Sequence, residues 1–287
     1  MSDTAPGAWP QAAPSMNETP EGVAATEKIA AIRAEIDGVD RAMLELVARR
    51  LSLADGLGAL KVEEGAALPV RPAREVQMLR KLMAAAPEIV EPDLIIELWR
   101  SLIAANVRRQ ALVDVVIAGG TDQVRLHDIA RRHFGARTRI HRLAEPQAAL
   151  IKAAETPNMV AVLPWPAATG VGGWWPALSE SRFHKLNLIA GLPMFAPGKD
   201  DPEACVFAAA PAEPAGEDAT LLMAFDPHHR AQKALADAGL AGREVGRSEP
   251  RVLIRVEGFL APNDPRVAIM SRHGLDGARV LGSYARV

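Results

Sequence analysis

The sequence predicts a multidomain protein: an all-α N-terminal part of three helices, then a small α/β region, then an α+β module. Three observations predict it. From Ile29 to Leu60 apolar side chains recur in heptad fashion with no proline among them, the signature of a long helix that packs against another. At Val113 the pattern changes to short apolar runs separated by helical stretches, which reads as β-α-β-α-β. Beyond a proline-rich interval at 211–216, further strand and helix patterns end in Val280-Leu-Gly-Ser-Tyr. The expected divisions are a tail at 1–24, the helical part at 25–112, the α/β region at 113–212 and the final module at 217–287.

Residues 1–22 are rich in Pro, Ala, Ser and Thr. They lack the basic start and apolar block of a signal peptide, so a disordered tail is expected. Thr26 is placed to cap a first helix over 27–62, about 54 Å long at 1.5 Å per residue. Residues 63–70 read as a loop. Pro72 suits the first turn of a second helix whose apolar face is Val76, Leu79, Leu82 and Met83. Pro92 opens a third, running through Trp99, Leu102 and Ile103 to about Leu112.

After Val113 the expected order is a strand ending in Gly119-Gly120, a helix to Phe134, a strand over 137–143, a helix over 145–154 and a strand over 159–163. Residues 164–173 read as a loop and 211–216 as a linker. The last module is expected to hold strands at 221–225 and 251–257 around a helix at 230–238.

Composition narrows the function classes. A net charge of −2 speaks against a dedicated nucleic-acid or membrane-surface protein. No apolar run approaches the eighteen or so residues needed to span a bilayer. Cys205 is the single cysteine, so no intrachain disulfide is possible and a reducing, cytoplasmic setting is expected. His228-His229 has no accompanying Cys or carboxylate cluster and reads as a loop pair, so no metal is expected. Trp174-Trp175 reads as a hydrophobic plug or interface.

The sharpest local signal is Arg50. The stripe Ile29, Ile32, Ile36, Val39, Met43, Leu46, then Leu53, Leu57 and Leu60, puts position 50 on the apolar seam, yet it holds an arginine. A guanidinium there needs a carboxylate such as Glu75, or it marks a ligand site. Lys61 falls within about 20° of the same helix face and roughly 16 Å away, leaving room for one small anion. Arg33 lies about 25 Å from Arg50 and about 100° off that face, so it reaches the same ligand only from an antiparallel partner helix. On the third helix Asn106 and Gln110 extend the apolar stripe with polar groups at i and i+4.

Together these segments resemble the all-helical chorismate mutases, in particular the mutase domain of the bifunctional chorismate mutase–prephenate dehydratases. The resemblance covers about residues 25–112. It rests on Ile32-Arg-Ala-Glu-Ile-Asp with Val39-Asp, Leu46-Val-Ala-Arg-Arg, Gly58-Ala-Leu-Lys, Val70-Arg-Pro-Ala-Arg-Glu and Asn106-Val-Arg-Arg-Gln. It implies an intertwined homodimer with shared sites and chorismate as substrate, with no cofactor. Arg50, with Arg33 from the other subunit, would bind the two carboxylates. Lys61 and Gln110 would face the ether oxygen of the breaking bond, Glu75 would accept from the ring hydroxyl, and Asn106 would contact a carboxylate. Arg71 departs from the pattern, standing where many relatives carry an aspartate, and is kept among the substrate-binding candidates at that position.

The second half resembles the rest of those bifunctional proteins less fully. Ile117-Ala-Gly-Gly-Thr and Val160-Ala-Val-Leu-Pro look like parts of a prephenate dehydratase first lobe. Arg255-Val-Glu-Gly, Asp264-Pro-Arg-Val and Val280-Leu-Gly-Ser-Tyr are similar to a regulatory ACT module, for which an aromatic amino acid would be the effector. Asp226-Pro-His-His and Arg247-Ser-Glu-Pro depart from the phenylalanine-binding pattern, so a degenerate domain kept for packing or dimer contacts is expected. The interval between Pro164 and Cys205 is too short for a second lobe. Ser181-Arg-Phe only approximates the Thr-Arg-Phe signature of dehydratases. The expectation is therefore a truncated dehydratase-like remnant without dehydratase activity.

Overall fold

The computed structural model describes residues 20–63, 68–196 and 201–286, with side chains described from 23 to 56 and from 68 onward. The chain divides into two compact units, residues 1–52 and residues 53–287.

The first unit is carried by helix α1, Pro20–Glu63, up to Ser52. Pro20, not Thr26, opens this helix, so Thr26 lies inside it. Proline suits a helix start because its missing N–H is an unbonded donor there in any case. The expected tail is therefore helical over its last five residues, and residues 1–19 lie outside the described part. Along α1 the heptad face is bare: Ile29, Ile32, Ile36, Val39, Met43, Leu46 and Leu53 are all between 48% and 69% exposed.

In the second unit, α2 (Pro72–Ala85) and α3 (Pro92–Gln110) each begin at the proline that the sequence marked. Val76 and Leu79 of α2 are fully buried, and Val76 shares a core with Val115 and Ile117 of strand β1, Asp114–Ile117. Helix α4 (Gln123–Phe134), strand β2 (Ile140–Arg142), helix α5 (Pro146–Glu155) and strand β3 (Met159–Pro164) follow as expected. The three strands are parallel in the order β2-β1-β3, as right-handed crossovers through helices produce.

The interval from Pro164 to Cys205, read as too short for a second lobe, holds strand β4 (Asn187–Leu192), and strand β5 (Ala204–Ala208) begins at its end. β5 runs antiparallel between β3 and β4. Beyond it come β6 (Asp218–Phe225), α6 (Ala231–Asp237), β7 (Gly242–Ser248), β8 (Arg251–Glu257), α7 (Pro265–Arg272) and β9 (Asp276–Ala285). These form a β-α-β-β-α-β unit whose sheet order is β9-β6-β8-β7.

The two sheet segments are not separate. β4 pairs with β9 in parallel at Leu188 and Gly282, giving one nine-stranded sheet, β2-β1-β3-β5-β4-β9-β6-β8-β7. Gly282 is required at that crossing. It adopts φ +132°, and a Cβ there would sit 2.2 Å from the Leu188 carbonyl oxygen.

Residues 211–216 are not a free linker. Glu213 pairs with Arg71 at 2.8 Å, the Pro214 carbonyl accepts from Gln77, and the Ala215 carbonyl accepts from Arg80. The segment is strapped to α2 because that helix turns a polar face toward it. Trp175 is fully buried, its indole N–H donating to the Ala167 carbonyl, and Trp174 stacks edge-on against Phe207. Both act as a plug. His229 pairs with Glu249 at the surface, and no group of three metal-ligating side chains exists among the described residues. No helix among them is long and apolar enough to cross a membrane.

Candidate functional site

Arg33 and Arg50 lie on α1 within the first unit. Arg33 is exposed. Arg50 is partly buried, and its Nη1 is a buried donor that meets no hydrogen-bond partner among the described residues. Burial lowers its affinity for the proton. A buried donor without an acceptor loses its hydration with no hydrogen bond to offset it. Among the described residues Arg50 makes no ion pair. The side chain of Lys61 lies outside the described residues.

Glu75 sits on the first turn of α2 and is only 8% exposed. Its partner is Arg100 of α3, whose Nη1 donates to Oε2. Oε1 accepts no hydrogen bond among the described residues. The pairing is local in origin: α2 and α3 are joined by six residues, 86–91, and so lie side by side. Arg71, counted as a substrate-binding candidate although it departs from the family pattern, is instead engaged by Glu213 through Nε and Nη2. That strap forms because an arginine fork matches a carboxylate in both charge and shape.

Asn106 and Gln110 lie on the last turns of α3, both partly buried. The Asn106 Oδ1 is buried with no partner. A half-turn of the amide exchanges this acceptor for the NH₂ donor, so Asn106 offers a vacant polar contact of either kind. Nearby on the same helix, Arg109 grips Asp55 of α1 with two hydrogen bonds, and this pairing holds the Asp55 carboxyl below its usual range. No hydrogen bond or ion pair joins Glu75, Asn106 and Gln110 to one another among the described residues.

Sequence reasoning missed Arg100. The signal was available, because Arg100 stands three and four residues before Ile103 and Ala104, both buried, and so faces inward as Arg50 does.

Residues 32–111 match the family chorismate mutase type II. The matched segment contains every residue singled out above from Arg33 to Gln110. The T-protein of Enterobacter agglomerans is 33% identical over 108 residues, which are 34% of this chain and 29% of that protein. The chain thus spans less than a third of that relative's length. Among solved structures, a prephenate dehydratase from Arthrobacter aurescens in complex with L-Phe is 16% identical, over 61% of this chain and 90% of that one, with a TM-score of 0.43. A quorum-quenching acylase is 13% identical over 60% and 95%, with a TM-score of 0.42.

Proposed function

We propose that the chain is a chorismate mutase, converting chorismate to prephenate in the supply of aromatic amino acids, and that it works as a homodimer. The observation that carries the reading is the family match over 32–111, within which Arg50 Nη1 is a buried donor with no partner among the described residues. The reaction is an intramolecular rearrangement with no nucleophile and no exchange of protons with the protein. The site has to hold a flexible dianion in its compact reactive shape and stabilise negative charge growing on the ether oxygen.

Each assigned residue has one task. Arg50 and a partner's copy of Arg33 bind the carboxylates. Lys61 and the Gln110 amide donate toward the ether oxygen, Glu75 accepts from the ring hydroxyl through Oε1, and Asn106 contacts a carboxylate. Arg71 is left out of this set, since Glu213 occupies its fork. Gln110 does not titrate, so turnover is expected to be nearly flat from about pH 6 to 8.

The bare heptad face of α1 supports the dimer. Burying the exposed half of seven large apolar side chains contributes on the order of 5–10 kcal/mol per protomer, enough to offset much of the cost of association. The second region is read as a non-catalytic remnant. Ser181-Arg182-Phe183 forms a short turn in which Arg182 pairs with Glu180 and lies over the Phe183 ring. An aromatic amino-acid effector has little to hold at 226–229, where the buried Asp226 carboxylate is already bound by Arg247 and the Arg230 and Ala231 N–H groups.

Purified full-length protein given chorismate tests the reading. Prephenate as the product supports it, phenylpyruvate would reveal a working dehydratase, and binding without turnover would mean a sensor. Neither L-Phe nor L-Tyr is expected to change the rate.

A further inference from the structure

Arg100 joins three parts of the second unit at one point. Its Nη1 donates to Glu75 Oε2 on α2 and lies 3.8 Å from the Met194 sulfur just beyond β4. Its Nε and Nη2 donate to the His133 carbonyl, at 3.2 and 2.6 Å, on the last turn of α4. The carbonyls at a helix C-terminus carry partial negative charge and lack intrahelical donors, so they fix a guanidinium firmly. His133 supplies no second cation, because burial and then the charge of Arg100 keep its ring from protonating.

We propose that Arg100 is a positioning residue for the mutase reaction, clamping Glu75 against the α/β region so that only Oε1 remains open to substrate. This rests on the mutase reading and deepens it. A carboxylate on a three-bond side chain has several rotamers, and a catalytic acceptor must keep one of them. Buried without a cation it would also lack the partner that offsets its desolvation. One arginine meets both needs, and the other edge of its fork is anchored on α4. The strands and helices after residue 112 thereby become part of the mutase site's wall, which gives a region without a dehydratase signature a reason to be there.

The test is a double-mutant cycle on the full chain with chorismate, using Glu75→Gln, Arg100→Ala and the pair. Arg100→Ala should lower kcat by about 10²-fold, the scale on which misplaced groups act. KM should move far less, because the cations that bind the carboxylates are untouched. The double variant should be no slower than Glu75→Gln alone, and Arg100→Lys should recover part of the loss. Should Arg100→Ala fail to fold, the same cycle is run with Arg100→Lys. Losses that multiply, or a loss confined to KM, would overturn the clamp while leaving the mutase reading standing. A wild-type chain without turnover would overturn both.

Discussion

At the scale of single residues, charge placed where apolar groups belong carries the functional information. Arg50 occupies a seam position, and its Nη1 is a buried donor that finds no partner among the described residues, which costs stability. Arg50→Met keeps the length of the side chain and removes the charge. It should cut kcat/KM by roughly 10²–10³-fold, as loss of an electrostatic contact in a water-poor site does. The melting temperature should hold or rise, since no protein partner is left unpaired. A drop in melting temperature alongside lost activity would mean that the cation is structural. His133 provides a separate residue-level expectation. Its ring is fully buried, and burial, then Arg100, depress its proton affinity. The unfolded chain therefore binds a proton that the folded chain refuses, so stability falls as pH drops below the unfolded value of about 6.5. Denaturant unfolding at pH 7 and pH 5 should show this as a slope of about 1.4 kcal/mol per pH unit, and His133→Leu should flatten it.

At the scale of elements, the joint between β4 and β9 decides whether the second unit is one body. Gly282 lets the strands meet at Leu188, where any Cβ would collide with backbone rather than with a movable side chain. Gly282→Ala should destabilise the protein by about 2–4 kcal/mol through strain and forced separation, read as a lowered urea midpoint. Gly277→Ala is the comparison: its φ is +59° but nothing lies within 4 Å of the added methyl. Its cost should stay near 1 kcal/mol. This joint was invisible in the sequence, whereas the helices were legible. Pro72 and Pro92 mark helix starts by local sterics, and Val76 and Leu79 show their inward face by spacing alone. β4 and β5 are short apolar runs with no period to declare them, and β7 is a polar strand with exposed positions. Their pairing depends on partners distant in the chain. The candidate site divides in the same way. Arg50 announced itself by interrupting a periodic stripe, while the engagement of Arg71 by Glu213 and of Glu75 by Arg100 depends on tertiary proximity that no spacing rule contains.

At the scale of the whole molecule, α1 displays an apolar face that water solvates poorly, and in the proposed homodimer a second copy of the same helix, with the matching period, would cover it. A two-fold axis across that face would bring Arg33 of one protomer toward Arg50 of the other, which the geometry of one straight helix forbids within a chain. Ile36→Glu together with Met43→Glu places charge on the seam and should yield monomers without turnover, with dimer and monomer distinguished by sedimentation. The stricter expectation concerns complementation. Arg33→Ala and Arg50→Ala should each be inactive alone, because every site in those homodimers lacks one cation. Mixed by unfolding and refolding together, about half of the dimers carry one chain of each kind. In such a dimer one site loses both arginines and the other keeps both. The mixture should therefore recover about one quarter of wild-type activity, by random pairing of two-fold symmetric chains. Recovery of nothing would place both arginines of a site on the same polypeptide, and the shared site would have to be abandoned even if the protein proved dimeric.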